Sequence, residues 1–101
     1  MKLYAIYYAA NEYDDLAYDA PIPIYYSLDK DKAKTYYNNI TISEKNYFNQ
    51  FLKDHPKFQN DENYSIDSDT ENSFEYCMGK WIYKYYFHEI PLEVDLRYDN
   101  D

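Results

Sequence analysis

The alternation of aromatic and polar residues is most regular between Lys80 and Ile90, where it predicts a long β-strand. One face of this segment is an aromatic row, made of Trp81, Tyr83, Tyr85 and Phe87. The other face is mixed, with Lys80, Ile82, Lys84, Tyr86 and His88. A period of two with one aromatic face is typical of a strand that is buried on one side and partly wet on the other. We expect the rest of the chain to cover the aromatic row.

Two strands are predicted near the start of the chain. Residues 2–10 are apolar on both faces, which is typical of a strand in the interior of a sheet. Residues 22–26 form a shorter apolar run that contains Pro23. Because proline cannot donate a hydrogen bond to a neighbouring strand, this run is expected at a sheet edge.

The last third of the chain contains two more extended segments, one on each side of the strand predicted at 80–90. Phe74, Tyr76 and Met78 alternate with polar residues, and Gly79, the only glycine, suits a hairpin turn or a bulge. Pro91 is expected to end the hydrogen bonding of the strand predicted at 80–90. Residues 92–98 alternate again, which predicts a short edge strand before an acidic tail at about 97–101.

Helical periodicity occupies the middle of the chain and predicts two helices. The first covers about residues 28–39, with Ser27 as N-cap, and its apolar stripe holds Ala33, Tyr36, Tyr37 and Ile40. Thr41 and Glu44 have the spacing of a capping box, with Ser43 as a competing cap, and so predict the start of a second helix. Its stripe holds Tyr47, Phe48, Phe51 and Leu52, and Pro56 ends it.

Residues 59–72 are polar and acidic and predict a long surface loop, with a short strand at 63–66 as an alternative. The whole chain of 101 residues is predicted to be one α+β domain. In it, a small, mainly antiparallel sheet carries two helices packed on one face, in the order β-β-α-α-loop-β-β.

Tyrosine and charge modify this picture. Sixteen tyrosines must help to build the core, with rings inside and hydroxyls at its edge. The net charge is −9, and six acids but no basic residue lie between Lys57 and Lys80. Such a chain is repelled by phosphate, so we expect no direct binding to nucleic acid.

There is no apolar run near 18 residues and no leader at Met1, which predicts a soluble protein without a membrane partner, in the bacterial cytoplasm.

The acidic segments are the candidate binding surface. Asp67, Asp69 and Glu71 recur at every second residue, which in an extended chain places same-side carboxylates about 7 Å apart, on the scale of successive phosphates. Aromatic anchors between such carboxylates would slow release from a basic groove. The candidate partner-binding residues are Glu12, Tyr13, Asp14, Asp15, Tyr18, Asp19, Asp61, Glu62, Tyr64, Asp67, Asp69 and Glu71. The alternative is that these acids only keep the protein soluble.

Candidate catalytic chemistry is sparse. His55 and His88 have no carboxylate or cysteine at a motif spacing, and Cys77 is expected to be a buried small residue. Residues 67–72 resemble the start of a calcium loop, but Asn72 occupies the position that needs glycine and Met78 the position that needs glutamate. We therefore predict a protein that is not an enzyme and that needs no cofactor or metal.

Three segments carry a resemblance to other proteins. The opening strand Lys2-Leu3-Tyr4-Ala5-Ile6-Tyr7-Tyr8, the capped helix that begins Ser27-Leu28-Asp29-Lys30 and the late strand at 82–90 resemble many small phage and bacterial proteins. In size and acidity the chain is also similar to phage-encoded anti-CRISPR proteins and other nucleic-acid mimics. That grouping has no shared motif, so it assigns no residue a role.

These observations lead to one main functional hypothesis and two alternatives. The main hypothesis is an acidic inhibitor that binds a basic nucleic-acid-binding protein, such as a CRISPR effector or another defence nuclease, and blocks it by phosphate mimicry. The first alternative is an immunity protein or antitoxin for a basic nuclease toxin. The second is a tyrosine-rich module that binds a ligand or carbohydrate. A homodimer through the aromatic strands is also considered.

Overall fold

A computed structural model describes residues 1–12 and 20–92. Five antiparallel strands form one sheet in the order β2-β1-β5-β4-β3, and one long helix lies on it. The elements are β1 (Lys2–Glu12), β2 (Ile22–Ser27), α1 (Lys30–Asp54), a 3-10 turn (Pro56–Phe58), β3 (Tyr64–Asp69), β4 (Ser73–Met78) and β5 (Trp81–Pro91).

The two predicted helices are one helix, so the predicted fold class is wrong. Helix α1 begins after Asp29, whose carboxylate accepts hydrogen bonds from the backbone N–H groups of Asp31 and Lys32 at 2.9 and 3.2 Å. Thr41 does not cap a second helix: it is buried, and its hydroxyl donates to the Asn38 carbonyl within the helix at 3.2 Å. The two predicted apolar stripes lie on one face of this helix, because Ile40, Glu44 and Phe48 follow one another at a spacing of four residues.

The segment predicted as a surface loop at 59–72 contains strand β3, which overlaps the short strand considered at 63–66 and extends to Asp69. β3 pairs with β4 as an antiparallel hairpin and forms one edge of the sheet. Tyr64 and Ile66 pack against the core, whereas the other residues of β3 are polar. An edge strand with one polar face and only two apolar side chains has the composition of a loop, which explains why its pattern was inconclusive.

The predicted strands occupy the places that the sequence indicates. β5 lies in the middle of the sheet, β1 lies in its interior, and β2, which contains Pro23, lies at an edge. Gly79 forms the turn between β4 and β5 with a φ of 65°, in the left-handed region that favours glycine. β5 continues to Pro91, which pairs with Lys2, and residues 93–101, which include the predicted last strand and tail, lie outside the described residues.

Helix α1 crosses the sheet diagonally from the β2 edge to the β3 edge. Near its start, the ring of Tyr36 stacks on Tyr25 of β2 at 4.3 Å between centroids. Near its end, Phe51 stacks on Tyr64 of β3 at 5.8 Å. The core lies under this crossing and consists of Ile6, Ala33, Tyr37, Phe48, Phe74, Tyr76, Tyr85 and Phe87. Tyr85 and Phe87 of the aromatic row of β5 are thus buried under the helix, as predicted, whereas Trp81 is exposed.

Candidate functional site

The described carboxylates of the predicted binding surface concentrate along β3 and the turns at its two ends. Asp61 and Glu62 precede the strand, Asp67 and Asp69 lie in it, and Glu71 follows it. Glu12 lies at the end of β1, three strands away, which corresponds to about 14 Å across the sheet. Tyr13, Asp14, Asp15, Tyr18 and Asp19 fall outside the described residues.

The predicted row of evenly spaced carboxylates does not form. The pairing of β3 with β4 shifts between Ile66 and Ser68, so a bulge occurs at Asp67. Asp67 lies on the face of the sheet opposite the helix, where it accepts hydrogen bonds from the Ser65 hydroxyl at 2.8 Å and the Cys77 thiol at 2.9 Å. Asp69 lies on the helix face and forms an ion pair with Lys45 at 2.6 Å. The edge therefore carries a patch of charge without a regular spacing.

Most of this patch is not neutralised within the described part of the chain. Asp61, Glu62, Asp67 and Glu71 form no ion pair with any described residue, and we call these four carboxylates the acidic edge. Elsewhere, Glu89 pairs with Lys2 and Lys30, and Glu75 lies near Lys84. At β3 itself, Lys45 neutralises Asp69, and Lys34 donates a hydrogen bond to the backbone carbonyl of Glu71 at 2.8 Å. The four carboxylates of the acidic edge remain without an ion pair to a described residue.

Tyr64 occupies a structural position instead of a free anchor position. Its ring stacks on Phe58 at 4.2 Å and on Phe51 at 5.8 Å, and its hydroxyl lies close to Gly79. His55 stacks on the other side of Phe51 at 4.3 Å. Tyr64 therefore belongs to an aromatic cluster that holds the end of α1 and the 3-10 turn against β3.

A second anionic group lies between the helix and the sheet. The Glu44 carboxylate accepts hydrogen bonds from the hydroxyls of Tyr76 at 2.6 Å and Tyr85 at 2.8 Å. Both tyrosines are almost completely buried, with 3% and 6% of their surface exposed. Burial, followed by the hydrogen bond to Glu44, raises the pKa of both phenols far above its usual value, so they remain neutral donors.

The carboxylate faces an open cavity of about 390 Å³, which we call the Glu44 pocket. Its walls are Ser43, Glu44 and Tyr47 from α1 and Tyr8, Tyr76, Tyr83 and Tyr85 from the sheet. The pocket exists because the diagonal helix leaves one corner of the sheet uncovered by described residues. At this corner Tyr47 is 58% exposed, and Trp81, on the same face as Tyr83, is 47% exposed.

Glu44, Tyr76 and Tyr85 are not among the site residues that the sequence pattern predicts. One signal was present: Ile40, Glu44 and Phe48 are spaced by four, so a carboxylate lies in the middle of an apolar helix face. Interpreting Glu44 as part of a capping box assigned it to a helix start and concealed that position. The tyrosine partners come from β4 and β5, and pairing across that sequence distance is set by the sheet alone.

Other candidate groups do not form a reactive site. The pKa of the Cys77 thiol is raised to about 12 by burial and by its hydrogen bond to Asp67, so the thiol stays protonated at neutral pH. Among residues 1–12 and 20–92, no three metal-ligating side chains lie close enough together to hold an ion. No helix in the described part of the chain is long and apolar enough to cross a membrane.

Comparison with known proteins adds no assignment. No protein-family model, no curated protein and no solved structure matches this chain.

Proposed function

We propose that this protein is an acidic inhibitor that binds a basic nucleic-acid-binding protein and occupies its nucleic-acid groove. The observation that carries the proposal is the acidic edge. Four carboxylates along one exposed strand and its turns form no ion pair with a described residue, although lysines pair with Asp69, Glu75 and Glu89. A partner that supplies lysine and arginine would complete this edge.

Electrostatics and geometry favour the β3 edge as the contact surface. A concentrated negative patch speeds the encounter with a positively charged groove. As the last strand of the sheet, β3 also presents backbone N–H and C=O groups on its outer side, which a partner segment can pair with. Because the bulge disrupts the regular row, the carboxylates would replace the charge of the phosphates and not their spacing.

The proposed setting is the cytoplasm of a bacterial cell, with a defence nuclease such as a CRISPR effector as the target. This choice follows from the resemblance in size and acidity to anti-CRISPR proteins. Such an inhibitor acts by stoichiometric binding, so it needs no catalytic group.

The experiment is a capture assay with two matched variants. The edge variant carries Asp61→Asn, Glu62→Gln, Asp67→Asn and Glu71→Gln. The control variant carries Asp29→Asn, Asp31→Asn, Asp54→Asn and Glu89→Gln. Each removes four negative charges. The amides keep the hydrogen bonds that Asp61 and Asp29 accept and the bond from Ser65 to residue 67, whereas the bond from the Cys77 thiol loses its acceptor oxygen. Tagged proteins are incubated with lysate of a CRISPR-bearing host, with rising salt and with competing DNA.

We expect the natural protein and the control variant to capture a basic nucleic-acid-binding protein that both DNA and salt displace. The edge variant should capture at least tenfold less of it, because local charge complementarity is lost. Equal capture by the two variants would contradict the proposal, as would capture that DNA does not affect. A captured protein that is a toxin nuclease would point to an immunity protein.

A further inference from the structure

The Glu44 pocket combines a negative charge with aromatic walls. Within the described part of the chain, Glu44 forms no ion pair. Its two hydrogen bonds from Tyr76 and Tyr85 use only part of the capacity of a carboxylate, which can accept about four. The pocket therefore presents an uncompensated and partly unsatisfied anion at its base.

The tyrosine rings around this anion favour the same class of ligand. The faces of aromatic rings carry partial negative charge and attract cations, and a cage of rings is the usual site for an ammonium group. Tyr76 and Tyr83 have centroids 5.0 Å apart, and so do Tyr8 and Tyr85, so ring pairs line the cavity. Tyr47 covers its outer side from the helix.

We propose that the Glu44 pocket binds the ammonium group of a lysine side chain from the protein partner. The long apolar stem of lysine would lie along the tyrosine rings while its charged end reaches Glu44. This inference deepens the proposed function and rests on it for the source of the lysine. The acidic edge would attract the basic partner, and the pocket would hold one of its side chains.

Carbohydrate is the main competing occupant, since sugars also stack on tyrosine rings. The charge at the base of the pocket decides between the two classes. A neutral sugar would leave a half-buried carboxylate without a counter-ion, whereas an ammonium group neutralises it. A chain with net charge −9 also attracts cations over long range.

The test uses a probe in place of the partner. N-acetyl-lysine N-methylamide is titrated into the protein at constant ionic strength, and the tyrosine ring resonances are followed by NMR. The matched probe is N-acetyl-norleucine N-methylamide, which has a similar stem without the ammonium group. We expect the lysine probe to cause saturable shifts of Tyr8, Tyr47 and Tyr83, with a Kd on the order of millimolar. The norleucine probe should cause none.

Two variants test the role of individual walls. Glu44→Gln keeps hydrogen bonds to both tyrosines but removes the charge, and should weaken lysine binding about tenfold. Tyr47→Leu should weaken it about threefold, because one ring of the cage is lost. Tyr26→Leu is the control, since Tyr26 is similarly exposed at 52% but lies in β2, outside the pocket.

Three results would overturn the inference: equal shifts with the norleucine probe, unchanged affinity of Glu44→Gln, or saturable shifts with maltotriose in place of lysine. The outcome is independent of partner capture. If lysine binds but no basic protein is captured, the pocket assignment stands and the proposed function fails. If the edge-dependent capture succeeds but the lysine probe does not bind, only the pocket assignment fails.

Discussion

The acidic edge and the Glu44 pocket are both anionic, but they differ in how their charges are held. The edge carboxylates lie on an outer strand and its turns. Apart from the bond that Asp67 accepts from the Cys77 thiol of β4, their hydrogen bonds are local, such as that from the Asn63 N–H to Asp61 at 2.9 Å. Glu44 instead joins the helix to two central strands through two buried tyrosine hydroxyls. The charges of the edge therefore contribute little to folding, whereas Glu44 links the helix to two tyrosines of the core.

Because of this difference, the charges of the acidic edge and the charge of Glu44 act over different distances. Exposed charges are screened by salt over about 8 Å at physiological ionic strength, whereas partly buried charges are screened much less. The edge is suited to steering a partner, and the pocket to a short-range contact. Measurements of the free energy of unfolding can test whether the edge carboxylates and Glu44 differ in their contribution to stability.

The largest expected effect is alkaline unfolding, which depends mainly on the buried phenols between the helix and the sheet and to which the raised pKa of the Cys77 thiol also contributes. Burial raises the pKa of Tyr37 from 10 to about 12, and the phenols of Tyr76 and Tyr85 are raised in the same direction. Below pH 10 these groups are protonated in both states. From pH 10 to 12 the unfolded chain releases protons that the folded chain retains, so stability falls with rising pH. Each phenol should contribute up to about 1.4 kcal/mol per pH unit.

Urea unfolding at a series of pH values measures this loss. Carboxylates do not change charge in this range, so a variant with only Asp61→Asn, Glu62→Gln and Glu71→Gln should lose stability with the same slope as the natural protein. Tyr37→Phe should have a shallower slope, because one of the buried phenols is removed. Tyr26→Phe, which removes an exposed phenol, is the matched control. Constant stability above pH 10 would mean that the tyrosines are not held as neutral donors.

The next effect compares one carboxylate of the core with four of the edge. Glu44→Ala leaves two buried hydroxyls without their acceptor, and should reduce the free energy of unfolding by about 3 kcal/mol. Glu44→Gln should cost about 1 kcal/mol, since the amide can serve both hydroxyls. The edge variant should change stability by less than about 0.5 kcal/mol. Urea midpoints give all three values, and a larger loss for the edge variant than for Glu44→Ala would reverse the comparison.

The sequence predicted the parts of this fold whose signal lies within one element. The aromatic row of β5, Pro23 at the β2 edge and Gly79 in its turn each express a local rule, and the structure confirms them. The helix number was wrong because Thr41 and Glu44 match a capping box locally. Tertiary contacts decide the outcome, since Thr41 is buried and the sheet supplies hydrogen-bond donors to Glu44.

The candidate site also has one feature that the sequence predicts and others that depend on tertiary contacts. Its acidic composition is visible in the sequence, but the position of each carboxylate depends on the bulge at Asp67, which arises from pairing with β4. The Glu44 pocket depends on the angle at which α1 crosses the sheet. That angle follows from contacts at both ends of the helix, Tyr36 on Tyr25 and Phe51 on Tyr64. No periodicity within one segment contains this information.

The smallest expected effect distinguishes two carboxylates of β3 that lie on opposite faces of the sheet. Asp69 forms an exposed ion pair with Lys45, so Asp69→Asn should destabilise the protein by about 0.5 kcal/mol at low salt. Asp67 forms no ion pair with a described residue and lies on the same edge as three other carboxylates, so Asp67→Asn should stabilise slightly, while its amide oxygen still accepts from Ser65. Both differences should vanish in 1 M salt, where the screening length is about 3 Å. Urea midpoints at low and high salt measure them, and effects of the same sign would show that Asp67 is neutralised like Asp69.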